Sequence, residues 1–229
     1  MTAVIRAISS MATRQLLAEL AADYERRTGI RVAVESVGGV DAAKRVQAGE
    51  AFDAVILGSD AIDKLMAAGH VVAGTRTDVV RSGTSVAVKV GAPLPDLSSE
   101  EAVKQAVLAA RRISYSTGPS GVALAKLFDK WGIAQQIADR IVTPPPGTPV
   151  GTLVANGEVE LGFQQLSELI HLQGIAIAGP LPDAIQITTI FSAGLCAASQ
   201  QSEAVHALLT YLASPETAAA KQRQGMQPA

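Results

Sequence analysis

Small hydroxyl residues and glycines recur where the β-branched runs of this chain end, and that combination suits an anion. Six short loops are the places to read: Ser9-Ser10-Met11, Val37-Gly38-Gly39-Val40, Gly58-Ser59-Asp60, Ser116-Thr117-Gly118-Pro119-Ser120-Gly121, Thr148-Pro149-Val150-Gly151 and Phe163-Gln164-Gln165. Five of the six carry Ser, Thr or Gly. Hydroxyls donate hydrogen bonds, and glycine leaves the backbone N–H uncovered, so such loops can ring an oxyanion or carboxylate with donors. Each loop alone is weak, because Ser, Thr and Gly are also the ordinary caps of helices. The recurrence in successive β-α repeats is the stronger signal. Arg14 adds to it: a cation in the opening turn of a helix costs a few tenths to about 1 kcal/mol unless something negative sits nearby. Lys44 and Arg45, read as early in the second helix, make the same unfavourable choice, offset by Asp41. Against this stands the reading of all three as solvated surface cations.

Other chemistries do not assemble. GPSGVALAKLF lacks the lysine and hydroxyl order of a phosphate-binding loop, and GPSGV lacks the second half of a nucleophile elbow at Ser120. His70, His171 and His206 lie far apart without metal-ligand spacing, so neither a metal site nor a cofactor is expected. The single Cys196 sits in the apolar run FSAGLCAAS and reads as a small buried hydrophobe.

The elements that must position these loops alternate. AVIRAI reads as a strand, and Leu16, Leu17, Leu20 and Tyr24 recur at helix spacing until Gly29 stops the helix. RVAVES, a helix over DAAKRVQAGE, DAVIL and a helix from Ser59 to Gly69 complete a β-α-β-α-β-α order, which predicts a parallel sheet. SVAVKV and the turn-rich GAPLPDLSS mark the crossing into a second region. There the alternation repeats: helix 99–110, strand RISYS, helix 120–131, a strand near Ile141, the loop TPPPGTPVG, a short helix, strand VELGF and a helix from Gln164. The run ITTIFSAGLCAAS returns as a strand, followed by a helix over Glu203–Leu212 and another from Pro215.

Composition limits the function. The 229 residues are 48% hydrophobic and 17% charged, enough for one large domain or two small lobes. A net charge of −2 without a local basic run argues against a nucleic-acid partner. The longest apolar runs are far short of the ~20 residues needed to cross a bilayer, so no membrane insertion is expected. With no basic, apolar and small-residue leader after Met1, the chain as written is expected in the cytoplasm, or in the periplasm if it is a mature form.

The stretches AISSMATRQLLAELAADYERRTGIRVAVESVGG, RVQAGEAFDAVILGSDAIDKLMAAGHVV, GEVELGFQQLSEL and ALLTYLASPETAAAKQRQGMQP resemble the type 2 solute-binding proteins of the molybdate-binding kind. The resemblance covers nearly the whole chain. It implies an α/β protein of two lobes (1–81 with 187–229, and 82–186), each a mainly parallel sheet flanked by helices, with an anion held between them by serine hydroxyls and backbone amides. It carries over to Ser9 or Ser10 in the first loop and to Ser120-Gly121 and Val150-Gly151 in the second lobe. Two departures turn the expectation from molybdate toward a carboxylate: Gly38-Gly39-Val40 stands where the family places a hydroxyl, and Phe163-Gln164-Gln165 where it tends to have a tyrosine. The candidate ligand set is thus Ser9, Ser10, Arg14, Gly38, Gly39, Ser59, Ser116, Ser120, Gly121, Val150, Gly151, Gln164 and Gln165. The resemblance also implies an ABC transporter permease as partner, if the chain is exported. Aconitate isomerase is a relative on this scaffold, so an isomerase of a small unsaturated tricarboxylate is the alternative. Its base is open between Glu168, expected on a helix surface, and His171.

Overall fold

The computed structural model describes residues 4–145 and 147–229. Ala3, the first residue of the expected AVIRAI strand, and Pro146 of the TPPPGTPVG loop lie outside the described residues. The chain divides into two compact units, Met1–Ser82 with Thr189–Ala229, and Gly83–Thr188.

In the first unit β1 (Val4–Ser10), α1 (Arg14–Thr28), β2 (Arg31–Val37), α2 (Gly39–Gln47), β3 (Ala54–Gly58) and α3 (Ser59–Ala67) follow one another. β4 (Thr77–Lys89) then runs on into the second unit. β1 pairs in parallel with β2 and β3, so all three strands end at one edge of the sheet, with Ser10 opposite Val37 and Ser9 opposite Ile56. Alternation along the strands sorts their side chains onto two faces. Ile5, Ala7, Ala54 and Ile56 pack with Leu16, Leu17, Leu20 and Tyr24 of α1. Ile8, Val55 and Leu57 pack instead with Ala42 and Val46 of α2 and Ile62 and Leu65 of α3. Each fully buried Leu or Ile contributes roughly 1.5–3 kcal/mol. A sheet covered on both faces explains why its strands read as nearly unbroken apolar runs.

The second unit holds α4 (Glu100–Ala109), β5 (Ile113–Tyr115), α5 (Pro119–Lys130), α6 (Ala134–Ile137), α7 (Val150–Asn156), β6 (Leu161–Gln165), α8 (Leu166–Leu169) and β7 (Ile175–Pro180). β5 and β6 are parallel, and β4 lies antiparallel to β6 and β7. Leu161 and Phe163 enter a core with Leu124 and Phe128 of α5. Gly162, on the other face, admits Val150 and Val154 of α7, which a side chain there would strike at 2.9 and 2.6 Å.

β8 (Thr188–Leu195) returns the chain to the first unit, antiparallel to β3. α9 (Ser202–Ala213) and α10 (Ala218–Arg223) follow, and β9 (Gln227–Pro228) pairs with the start of β4. Val205, Leu208, Leu209 and Leu212 of α9 lie on the α1 face of the first sheet.

Three sequence expectations are corrected here. β4 begins eight residues before SVAVKV, because Ser82-Gly83 reads as a break although the backbone stays extended through it. The expected helix from Gln164 is strand as far as Gln165, and α8 covers Leu166–Leu169 alone. β7 is absent from the sequence expectation; its Ala-Gly-Pro content hides a strand that β4 recruits. Among the described residues no helix is long and apolar enough to cross a membrane.

Candidate functional site

The first unit gathers three of the six loops at one sheet edge, since β1, β2 and β3 are parallel and in register. Three helical starts stand there: the 3-10 turn Met11–Thr13 leading into α1, then α2 and α3. None has a side-chain cap. The residues before α2 and α3 are Gly38 and Gly58, which have no side chain to offer, so the first amides of both helices remain open. α4 provides the contrast, because Ser99 Oγ accepts from the Ala102 amide at 3.1 Å in the ordinary way.

The two serines of β1 separate by strand alternation. Ser9 is fully buried, and its hydroxyl is tied to Ser36 Oγ at 2.8 Å and donates to the Ser10 carbonyl at 3.3 Å. Ser10 is 8% exposed, and its Oγ has no hydrogen-bond partner among the described residues. A cap reading therefore fails for Ser10, and leaving a buried hydroxyl unmatched costs about 1–3 kcal/mol. The start of α2 lies over it: a Cβ on Gly39 would meet Ser10 Cβ at 3.7 Å. Ser59 is the first residue of α3, half-buried.

Arg14 is exposed in the first turn of α1, which has no acidic residue, and it forms no ion pair among the described residues. Lys44 and Arg45 need correction. α2 starts at Gly39, so both fall in its last turn, where the helix dipole favours cations. Arg45 is also fully engaged, bonding Glu35 and Glu50 and lying over the Phe52 ring at 5.2 Å. Its carboxylate partners are held below their ordinary range, first by those hydrogen bonds.

The second unit brings its own loops to one edge. β5 and β6 run parallel, so α5 starts at their C-terminal ends, and α7, whose end leads back into the start of β6, begins at that same edge. Ser116 Oγ accepts from the Gly118 amide at 3.0 Å, and Ser120 is buried in the first turn of α5, which is uncapped. Gly121 is a packing requirement, since a Cβ there would overlap the Ser116 carbonyl oxygen. Val150 has its side chain wholly in the core, leaving its backbone for any contact. A Cβ on Gly151 would press on Leu172 and Leu169.

Gln164 and Gln165 end β6, both buried. Gln164 shares the face of Gly162 and hydrogen-bonds the Glu168 carboxyl, while its Oε1 has no partner among the described residues. Ser167 Oγ is likewise buried and unmatched. Burial pushes Glu168 up from its ordinary 4.5 to about 7, against the opposing hydrogen bond from Gln164. The glutamate expected on a helix surface stands in α8, a single short turn at the end of β6, where it is partly covered while its neighbours Ser167 and Leu169 are buried. Ser167 is the residue the sequence reading passes over, whereas Glu168 is already one of its two candidate bases; two glutamines closing an apolar strand are the signal that points to Ser167. Cys196 is buried, and its thiol is pushed up to about 12 by burial and by Asp53.

Known proteins match this arrangement. The family model for bacterial extracellular solute-binding proteins matches residues 5–227. The chain belongs to that family. This solute-binding protein is 38% identical over 227 residues to an aconitate isomerase from a Pseudomonas species, covering 96% of this chain and 86% of that one. Its fold is shared with the periplasmic molybdate-binding protein of Azotobacter vinelandii (TM-score 0.80, 18% identity, 97% of this chain and 98% of the other). A tungstate ABC transporter protein of Geobacter sulfurreducens is similar at TM-score 0.75 and 18% identity over 96% and 98%. The solute-binding protein thus has the two-lobed α/β fold of the type 2 periplasmic-binding proteins, as the sequence resemblance implied.

Proposed function

We propose that this solute-binding protein captures a small carboxylate-bearing anion, using donors from its loop edges. The observation that carries the reading is Ser10: a buried hydroxyl without a partner among the described residues, at a sheet edge where three helical starts lack caps. A negative guest supplies what is missing there, accepting from the hydroxyl and from open amides that the helix dipole already biases toward anions. Arg14 would add a fork-shaped donor that fits a carboxylate better than a single point charge does. If the protein is exported, an ABC transporter permease is the partner to which it delivers.

The test is a thermal-shift screen against molybdate, sulfate, citrate, and cis- and trans-aconitate. Ligand at 100 times its Kd stabilises by about 2.7 kcal/mol, and for a chain of this size that raises Tm by roughly 5–10 °C. A shift with molybdate or sulfate and none with the carboxylates would refute the carboxylate reading.

A second reading, isomerisation of a small unsaturated tricarboxylate, is favoured by the aconitate isomerase relative and by a carboxyl near neutrality beside the Gln164 amide. Following bound trans-aconitate by NMR separates the two: binding without conversion leaves a receptor.

A further inference from the structure

Glu168 is the unusual carboxylate of this protein. The carboxylates of the first unit are committed elsewhere or open to water. Asp53, at the opposite ends of the strands, accepts from the Arg6 amide at 2.9 Å, from Ser199 Oγ at 2.6 Å and from Gln201 at 3.2 Å. Asp78 accepts from Ser192 Oγ and pairs with Arg76. Asp41 and Asp60 are exposed in the first turns of α2 and α3. Glu168 makes no ion pair among the described residues; Gln164 is its hydrogen-bonding neighbour, and Gln164 Oε1 and the Oγ of Ser167, the residue before it in the chain, are buried without a partner among the described residues. The residue itself is only partly covered.

We infer that Glu168 is the acid-base residue of an allylic proton shift, acting on a small polycarboxylate that carries a methylene group next to a carbon–carbon double bond. This rests on the isomerase reading above. The carboxylate of Glu168 takes a proton from the methylene carbon; that C–H bond breaks and its electron pair becomes the new double bond to the central carbon. The electrons of the old double bond form a C–H bond at the far carbon, with the proton that Glu168 returns. Glu168 ends as it began, the formula of the ligand is unchanged, and no oxidant, reductant or co-reactant is needed. The Gln164 amide holds the carboxyl in place while it changes charge.

The environment suits such a shuttle. A base that titrates near working pH is half-charged there and can both accept and return a proton. No charged or titratable side chain reaches Glu168 from β6, α7 or β7, since none of these strands and helices contains one; His171 follows three residues later, exposed.

The experiment uses the whole chain with cis- and trans-aconitate as probes, reading binding by calorimetry and conversion by NMR in deuterium oxide. Wild type is expected to interconvert the isomers, with kcat rising toward neutral pH. E168Q should bind with Kd changed less than about threefold, while conversion falls at least about 100-fold and deuterium exchange at the methylene carbon falls with it. E168D, checked for folding by circular dichroism, should retain slow conversion with the acidic limb of its pH profile displaced. Conversion by E168Q within about threefold of wild type, or an unmoved limb in E168D, would overturn the assignment while leaving the isomerase reading intact. A wild-type protein that binds aconitate and converts none of it ends the isomerase reading, and the assignment with it.

Discussion

The loop edges of the two units are built alike and equipped differently. In the first unit the parallel strands end in Ser10, Gly38 and Gly58, the helices that follow are uncapped, and the nearby carboxylates are either exposed or tied to arginines and hydroxyls. That edge offers hydroxyl and amide donors. In the second unit, β6 ends in buried glutamine amides, and one step further stands a carboxyl whose burial holds it near pH 7. On the reading proposed above, the difference divides the work of one fold: uncapped amides and a hydroxyl would hold a negative charge, and a desolvated carboxyl would move a proton.

The largest effect expected from perturbing either edge is at Gly121. G121A drives a methyl group into the Ser116 backbone carbonyl, which cannot swing aside as a side chain could, and should cost on the order of 3 kcal/mol or more. Hydrogen exchange should show the loss in residues 83–188; uniform loss in both units would mean that the edges are not independently held.

Next comes the pH dependence of stability. Because the folded pKa of Glu168 lies above its unfolded value, folding takes up a proton between pH 4.5 and about 7. Its stabilising contribution is complete below pH 4.5 and is lost as pH rises through about 7. The penalty is on the order of 3 kcal/mol above that window. Denaturant melts of wild type and E168Q should therefore diverge from pH 5 to pH 8, with E168Q gaining. Parallel curves would show the carboxyl to be ordinary.

S10A tests the holding edge. It removes an unmatched buried hydroxyl, so stability should stay the same or rise slightly, whereas anion affinity falls about tenfold, or about 1.4 kcal/mol. Loss of stability with unchanged affinity would make Ser10 a structural residue. R14A is the mildest change, relieving a few tenths of a kcal/mol of dipole repulsion and weakening carboxylate binding about five-fold in calorimetry. R45A should leave affinity alone, since Arg45 serves Glu35 and Glu50.

Much of this is legible in the sequence. The order of strands and helices in the first unit follows from β-branched runs and leucine spacing, and the six loops fall where the elements end. Ser9 and Ser10 are alike in sequence, both serines at the end of one strand; alternation assigns one to Ser36 and leaves the other without a partner among the described residues. Lys44 and Arg45 change their meaning because a helix start at Gly39 instead of Asp41 moves them from its opening to its close. Glu168 differs from expectation for the opposite reason: FQQLSEL has helix-forming residues, yet pairing with β4 and β5 keeps Gln164 and Gln165 extended.

By itself the sequence determined the α/β alternation, the family, and a set of hydroxyl and amide loops with no basic field around them. These follow from local periodicity and composition, which act over a few residues. Tertiary structure alone decided which serine is left unmatched, which cations are already paired, and that a glutamate just after two buried glutamines is partly desolvated. Desolvation and hydrogen-bond satisfaction depend on neighbours brought from distant parts of the chain, and no short window of residues contains them.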